Sequence, residues 1–189
     1  MLEHIHLENF KVSRDVPVRL APLIQSVWSS FTAKAAEKEL EVTCTVADDA
    51  VIQSDLVLLQ SILSNLFDNA VEYTLQGGVV RIEGEVDSER FLVRVVNTAR
   101  DLHPGDIPKL FQRFWRKDMA RSGGNHSGLG LSLAKGFSQA LGYVLTATQD
   151  SSSGFLTITL DGTVPVPDHS ILGSESSSVS EIEAPGIHQ

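Results

Sequence analysis

Residues 65–74 read Asn65-Leu66-Phe67-Asp68-Asn69-Ala70-Val71-Glu72-Tyr73-Thr74. Leu66 and Ala70 continue an apolar series that begins at Leu56 and passes through Leu59 and Leu63, the three- and four-residue spacing of one helical face. The pattern predicts a helix that starts at the Ser54-Asp55 cap signal, runs to about Thr74 and stops at Gly77-Gly78. Asn65, Asn69 and Glu72 recur at the same spacing on another stripe, with Tyr73 at its margin. Asparagine is a mediocre helix former, because its side chain competes with the backbone for hydrogen bonds. Two of them on one stripe point to work other than folding. A carboxamide oxygen is a hard, neutral ligand suited to Mg²⁺, which takes phosphate oxygens alongside one or two protein groups. A plain solvated face is the alternative that this stretch alone leaves open.

Outward from this helix, the periodicity predicts a helix over 21–39 and an alternating strand over 40–47, in which Val42, Cys44 and Val46 share a buried face. Residues 79–86 and 90–96 read as two strands joined by a polar turn at 87–89. A long polar loop follows, with one amphipathic helical turn over 107–115. A third helix begins at Ser127-Gly128 and ends at Leu141-Gly142, and strands over 143–148 and 155–160 close the core. Strands and helices in this order imply an α+β fold, a two-layer sandwich with a mixed sheet covered by three helices on one face.

The run His126-Ser127-Gly128-Leu129-Gly130-Leu131 opens that third helix directly after a loop. Helix N-termini carry unpaired N–H groups and partial positive charge, and glycine lets phosphate oxygens approach the backbone. A lone Gly-x-Gly is as easily a turn. Behind an asparagine-bearing helix it reads as a phosphate site. Between the two, Lys109, Arg113, Arg116, Lys117 and Arg121 outnumber Asp118, the composition of a lid over a polyanion. Phe111 and Phe114 are assigned there to packing against the core rather than to ligand contact.

The bulk composition narrows the function. With 24 acidic residues against 15 basic ones among 189, the net charge is −9, which argues against nucleic-acid or anionic-membrane binding. One cysteine, Cys44, excludes a disulfide framework within the chain. No run approaches the roughly 18 to 20 apolar residues that cross a bilayer, and the first residues lack signal-peptide order, so the segment is expected in the cytoplasm without direct membrane contact. Whether a longer protein is anchored in an inner membrane stays open. Residues 163–189 are rich in Ser, Pro and Gly, hold four acids and no Lys or Arg, and are expected to form a disordered tail.

Taken together, the ordered motifs resemble the catalytic, ATP-binding domain of sensor histidine kinases, within the gyrase, heat-shock chaperone, kinase and mismatch-repair ATPase superfamily. Asn65 to Thr74 is similar to the N box, Val96-Asn97-Thr98-Ala99 to the first glycine box, Leu110 to Arg116 to the F box and Ser127 to Leu131 to the second glycine box. The resemblance covers Val16 to Leu160 and implies a Bergerat ATP-binding fold over 15–162, with 1–14 a remnant of a linker to a dimerising helical hairpin. It implies Asn69 on Mg²⁺, Asn65 and Tyr73 near the nucleotide, and Asn97 reading adenine with Ala99 and Leu102 beside it. Arg116, Lys117 and Ser127, Gly128, Leu129, Gly130 and Leu131 would hold the phosphates. The implied partners are the phosphoacceptor histidine domain of the same protein and a response regulator.

In the related ATPases a water-activating glutamate stands four residues before the Mg²⁺ asparagine. Here that place is Asn65, which cannot act as a general base at neutral pH. The reading is therefore transfer of the γ-phosphoryl group to a histidine rather than hydrolysis. None of His4, His6, His103, His126, His169 and His188 stands in an acceptor motif, so the acceptor is expected on a domain absent from the chain. Four positions depart from the family pattern. Asn97 and Ala99 replace Asp and Gly, although a subset related to metal-sensing kinases also carries Asn; His126 replaces a frequent Gly; and Glu72 stands where many members have a basic residue. A degenerate nucleotide-binding or scaffolding module is the alternative those departures raise.

Overall fold

The computed structural model describes residues 16–99, 101–117, 127–150 and 152–164. In chain order they form β1 (Val16–Arg19), α1 (Leu20–Trp28), α2 (Thr32–Glu37), β2 (Glu41–Val46), β3 (Val51–Ser54), α3 (Leu56–Tyr73), β4 (Val79–Val86), β5 (Arg90–Thr98), α4 (Gly130–Ala140), β6 (Val144–Asp150) and β7 (Phe155–Thr163). Five strands make one mixed sheet in the order β2-β4-β5-β7-β6, with β2 parallel to β4 and the other pairs antiparallel. β1 and β3 pair separately as a short antiparallel ribbon. This is the expected two-layer sandwich.

Asp55 starts α3 as the sequence indicates: its Oδ1 accepts from the backbone N–H groups of Val57 and Leu58, both at 3.0 Å. Leu59, Ile62, Leu63, Leu66 and Phe67 are wholly buried against the inner face of the sheet, where Val93, Val95, Ile158 and Leu160 answer them. Burial at this level contributes about 1.5–3 kcal/mol per large apolar side chain, set against the entropy of ordering the chain. The rings of Trp28, Phe31 and Phe67 meet tilted or edge-on, with centroids 5.4 to 6.2 Å apart, and tie the end of α1 to α3.

Several boundaries differ from the sequence expectation for identifiable reasons. The helix expected over 21–39 breaks at a 3₁₀ turn, Ser29–Phe31, where Ser29 Oγ donates to Ser26 O and Thr32 Oγ1 to Ser29 O. The helical turn expected over 107–115 is a 3₁₀ helix, Pro104–Lys109, placed earlier because Pro104 starts it and Pro108 stands inside it. Strand β7 continues past Leu160 to Thr163, which pairs with Arg90, and Val164 N donates to Glu89 O. The rest of the expected tail, the expected linker over 1–14 and His126 lie outside the described residues.

Cys44 is exposed rather than buried. β2 is an edge strand that packs mainly on β4, and only Val42 and Val46 on that face reach partial cover. Leu56 is exposed as well, together with Val57, and the buried face of α3 begins at Leu58. No helix among the described residues is long and apolar enough to cross a membrane.

Candidate functional site

A cavity of about 570 Å³ opens between α3, the loop that follows β5, residues 110–117 and the start of α4. The polar stripe of α3 forms one wall, from Asn65 through Asp68, Asn69 and Glu72 to Tyr73. The three- and four-residue spacing that set these side chains on one face of the sequence therefore delivers them to one space. Asn65 Nδ2 donates to Ser61 O at 2.8 Å, and its Oδ1 faces Gly130 so closely that a Cβ on Gly130 would stand 2.9 Å away. A side chain at position 130 would thus close the gap between the two helices. Among the described residues no hydrogen bond holds the Asn69 side chain.

The opposite wall begins at Ser127, Gly128 and Leu129 and passes into α4 at Gly130 and Leu131. Gly128 takes φ +70°, and a Cβ there would lie 2.9 Å from the Phe114 carbonyl carbon and 3.0 Å from the Trp115 oxygen. Phe114 N donates to Gly128 O at 2.9 Å, which stitches the Phe114 backbone to the glycine turn. Phe114 itself has φ +63° and is 68 % exposed, so the packing role expected for it is not what the structure shows. The backbone turn that pairs with Gly128 swings its ring outward. Trp115 lines the cavity and packs on the core instead, while Phe111 packs as expected under the ammonium of Lys135, 4.7 Å from the ring centre.

Arg116 and Lys117 both line the cavity. Arg116 Nε and Nη2 are buried without a hydrogen-bond partner among the described residues, although the guanidinium also reaches the Tyr73 phenol. Burial pushes the Tyr73 phenol above its ordinary pKa, and the Arg116 charge pulls it the other way. Lys117 Nζ stands 3.3 Å from Asp106 Oδ2 without hydrogen-bond geometry. Buried N–H groups of a guanidinium with no acceptor are costly, and a polyanion is the acceptor their geometry suits.

Ala99, Leu102, Leu110 and Leu156 give the cavity an apolar end. Asn97 does not line it. This residue is buried on β5 beneath Ala99, and its Nδ2 donates to Thr74 Oγ1 at 3.1 Å and Thr98 O at 3.3 Å. Gln149 Nε2 donates to the carbonyls of Ala99 and Leu102 at 3.4 and 2.8 Å, and so holds the loop that forms this end. Sequence reading did not single out Leu75, Asp101, Leu156 or Gln149; they come from β7, β6 and loops that carry no local motif, and only the tertiary fold brings them here.

Residues 54–166 match the family described as histidine kinase-, DNA gyrase B-, and HSP90-like ATPase. The sensor histidine kinase CusS of Escherichia coli (strain K12) is 31% identical over 144 residues, which are 76% of this chain and 30% of CusS. Full-length ShkA in complex with AMPPNP superposes with TM-score 0.69 at 23% identity, over 82% of this chain and 32% of ShkA. Histidine kinase ThkA in complex with response regulator protein TrrA superposes with TM-score 0.67 at 19% identity, over 81% of this chain and 42% of that one. The chain spans less than a third of the length of the curated relatives it matches.

Proposed function

The chain belongs to the histidine kinase-, DNA gyrase B- and HSP90-like ATPase family, and from that membership we propose that it is the ATP-binding catalytic domain of a two-component sensor histidine kinase. It takes Mg·ATP into the cavity and gives the γ-phosphoryl group to a histidine on a dimerisation domain of the same protein. A response regulator then receives the group; the likeness to ThkA bound to TrrA supports that partner class. The observation that carries the reading is Arg116, which lines the same cavity as the start of α4 and whose Nε and Nη2 are buried without a hydrogen-bond partner among the described residues.

The roles follow from the walls. The first N–H groups of α4 and the guanidinium of Arg116 hold the phosphate oxygens, with Lys117 adding charge. Ala99, Leu102, Leu110 and Leu156 enclose the base, and the Asn97 side chain, buried on β5, is the acceptor proposed for its amino group. The donor chemistry suits Mg²⁺, because the Asn69 carboxamide supplies a hard oxygen with room for phosphate oxygens and water beside it. When bound, the ion neutralises charge on the phosphates. Asn65 cannot activate water, and its nitrogen is already engaged by Ser61 O, so the site favours transfer over hydrolysis.

Calorimetric titration with ATP, with and without Mg²⁺, tests the first half: saturable heat that depends on the metal is expected, and none at millimolar nucleotide would refute it. Mixing the chain with a separate phosphoacceptor hairpin and γ-labelled ATP tests the second. Acid-labile label on the hairpin and none on this chain is the expected result; label on this chain would place the acceptor here instead.

A further inference from the structure

Glu72 brings a carboxylate to the wall of the cavity that takes a polyphosphate on the reading above. One uncompensated negative charge there would repel a ligand of its own sign, and low-dielectric walls carry that repulsion beyond contact distance. A close countercharge comes from outside the cavity. Lys34, on α2, places Nζ 2.7 Å from Glu72 Oε2 and is not among the residues that line the space.

The helix that carries Lys34 is itself locked to the end of α3. Lys38, four residues on, donates from Nζ to the carbonyls of Val71, Glu72 and Thr74 at 2.8, 2.6 and 2.8 Å. Its charge sits where the last carbonyls of α3 gather partial negative charge. Trp28 and Phe31, just before α2, press on Phe67 of α3. Lys34 therefore meets Glu72 in a fixed frame rather than by a loose surface encounter.

We infer that Lys34 is a positioning residue for nucleotide binding: its ion pair holds the Glu72 carboxylate toward α2 and supplies countercharge that favours entry of a nucleoside triphosphate into the cavity. The inference rests on the nucleotide reading above. Because the lysine side chain is 39 % exposed, its effect is modest and sensitive to salt.

Titrations of Mg·ATP and of adenosine into the wild type, Lys34→Gln, Lys34→Arg and Lys34→Gln/Glu72→Gln test this at low and high salt. Lys34→Gln should weaken Mg·ATP by about three- to tenfold, leave adenosine within about twofold, and lose most of its effect at high salt. Lys34→Arg, and removal of the carboxylate in the double variant, should each restore the affinity. Equal losses for Mg·ATP and adenosine, or a loss that persists once Glu72 is Gln, would overturn the inference. A wild type that binds Mg·ATP no better than Lys34→Gln overturns it alone, whereas a wild type that binds neither ligand removes the nucleotide reading with it. Should Lys34→Gln melt early, Glu72→Gln by itself decides: it must bind Mg·ATP at least as tightly as the wild type, and weaker binding counts against the inference.

Discussion

The hydroxyl of Thr74 fixes which way the Asn97 amide points. Thr74 Oγ1 donates to Ala70 O at 2.6 Å, so it can only accept from Asn97, whose Nδ2 lies 3.1 Å away. The second Nδ2 hydrogen goes to Thr98 O. Both donors of the amide are spent on the protein, and Oδ1 is left as the group that can accept from an adenine amino group. Asn97→Ala should therefore cost about 1 to 3 kcal/mol of ATP affinity, or roughly five- to 150-fold. Thr74→Val should lower the unfolding free energy by about 1–2 kcal/mol and relax the preference for adenine over guanine. Parallel titrations with ATP and GTP and a urea melt measure both; ATP affinity unmoved by Asn97→Ala would mean that the base lies elsewhere.

Asn69 separates metal from fold. Its side chain faces the cavity and makes no hydrogen bond among the described residues, while its neighbours Leu66 and Ala70 hold α3 to the core. Asn69→Ala should leave the circular dichroism spectrum and the melting temperature within a few degrees of wild type and erase the difference between titrations with and without Mg²⁺. Early unfolding of this variant would assign Asn69 a structural role.

At Gly128 the backbone has no room for a side chain. A Cβ would press on the Phe114 and Trp115 backbone at 2.9 to 3.0 Å, and the φ of +70° is one that other residues adopt at a cost of about 1–3 kcal/mol. Gly128→Ala should lose stability in that range and weaken nucleotide binding, because Arg116 is carried by the displaced segment. Unchanged denaturation midpoints would show that the 112–117 segment yields freely.

Acid should weaken the corner between β6 and β7. The Asp150 carboxylate accepts from the hydroxyls of Ser152 and Ser153 and from the Ser152 backbone N–H, which hold its pKa far below the ordinary carboxylate value. For a group depressed in the folded state, the stabilisation is complete above its unfolded pKa and disappears as pH falls toward the folded one. Asp150→Asn should flatten the loss of stability below about pH 4, measured as urea midpoints against pH. A variant that loses stability with acid as steeply as wild type would contradict this.

How far the sequence reaches depends on how local the information is. The α3 stripe and the Asp55 cap are specified by neighbours in the chain and recur in the structure at the positions expected, and α4 begins at Gly130, two residues after the expected Ser127-Gly128. The exposure of Cys44 and Leu56 could not be read this way, since alternation tells which side chains share a face but not how far the opposing layer extends. β1 and β3 escaped because four residues carry too little periodicity to register. Phe114 was misassigned because an aromatic residue in an amphipathic run looks buried unless the left-handed backbone beneath it is known. Lys34 and Gln149 lie 38 and 50 residues from Glu72 and Ala99, the groups they hold, and only the folded sheet and helices bring each to its partner.

Gln149 offers the sharpest test of how the apolar end of the cavity is held. Its Nε2 hydrogen bonds to Ala99 O and Leu102 O span the loop directly after β5, and its Oε1 is buried without a hydrogen-bond partner among the described residues. Replacement by Leu keeps the bulk on β6, removes the unsatisfied oxygen and deletes the donor that fixes two carbonyls of the wall. The first change favours the fold and the second loosens the loop, so overall stability should move by less than about 1 kcal/mol. Affinity should respond more, because the residues that enclose the base lose their tether while the phosphate end is untouched. Gln149→Leu should therefore weaken adenosine and Mg·ATP by the same factor, about three- to tenfold, in contrast to a change at Lys34. If Mg·ATP alone is weakened, the loop is not the wall of a base pocket, and the apolar end must be assigned to another part of the ligand.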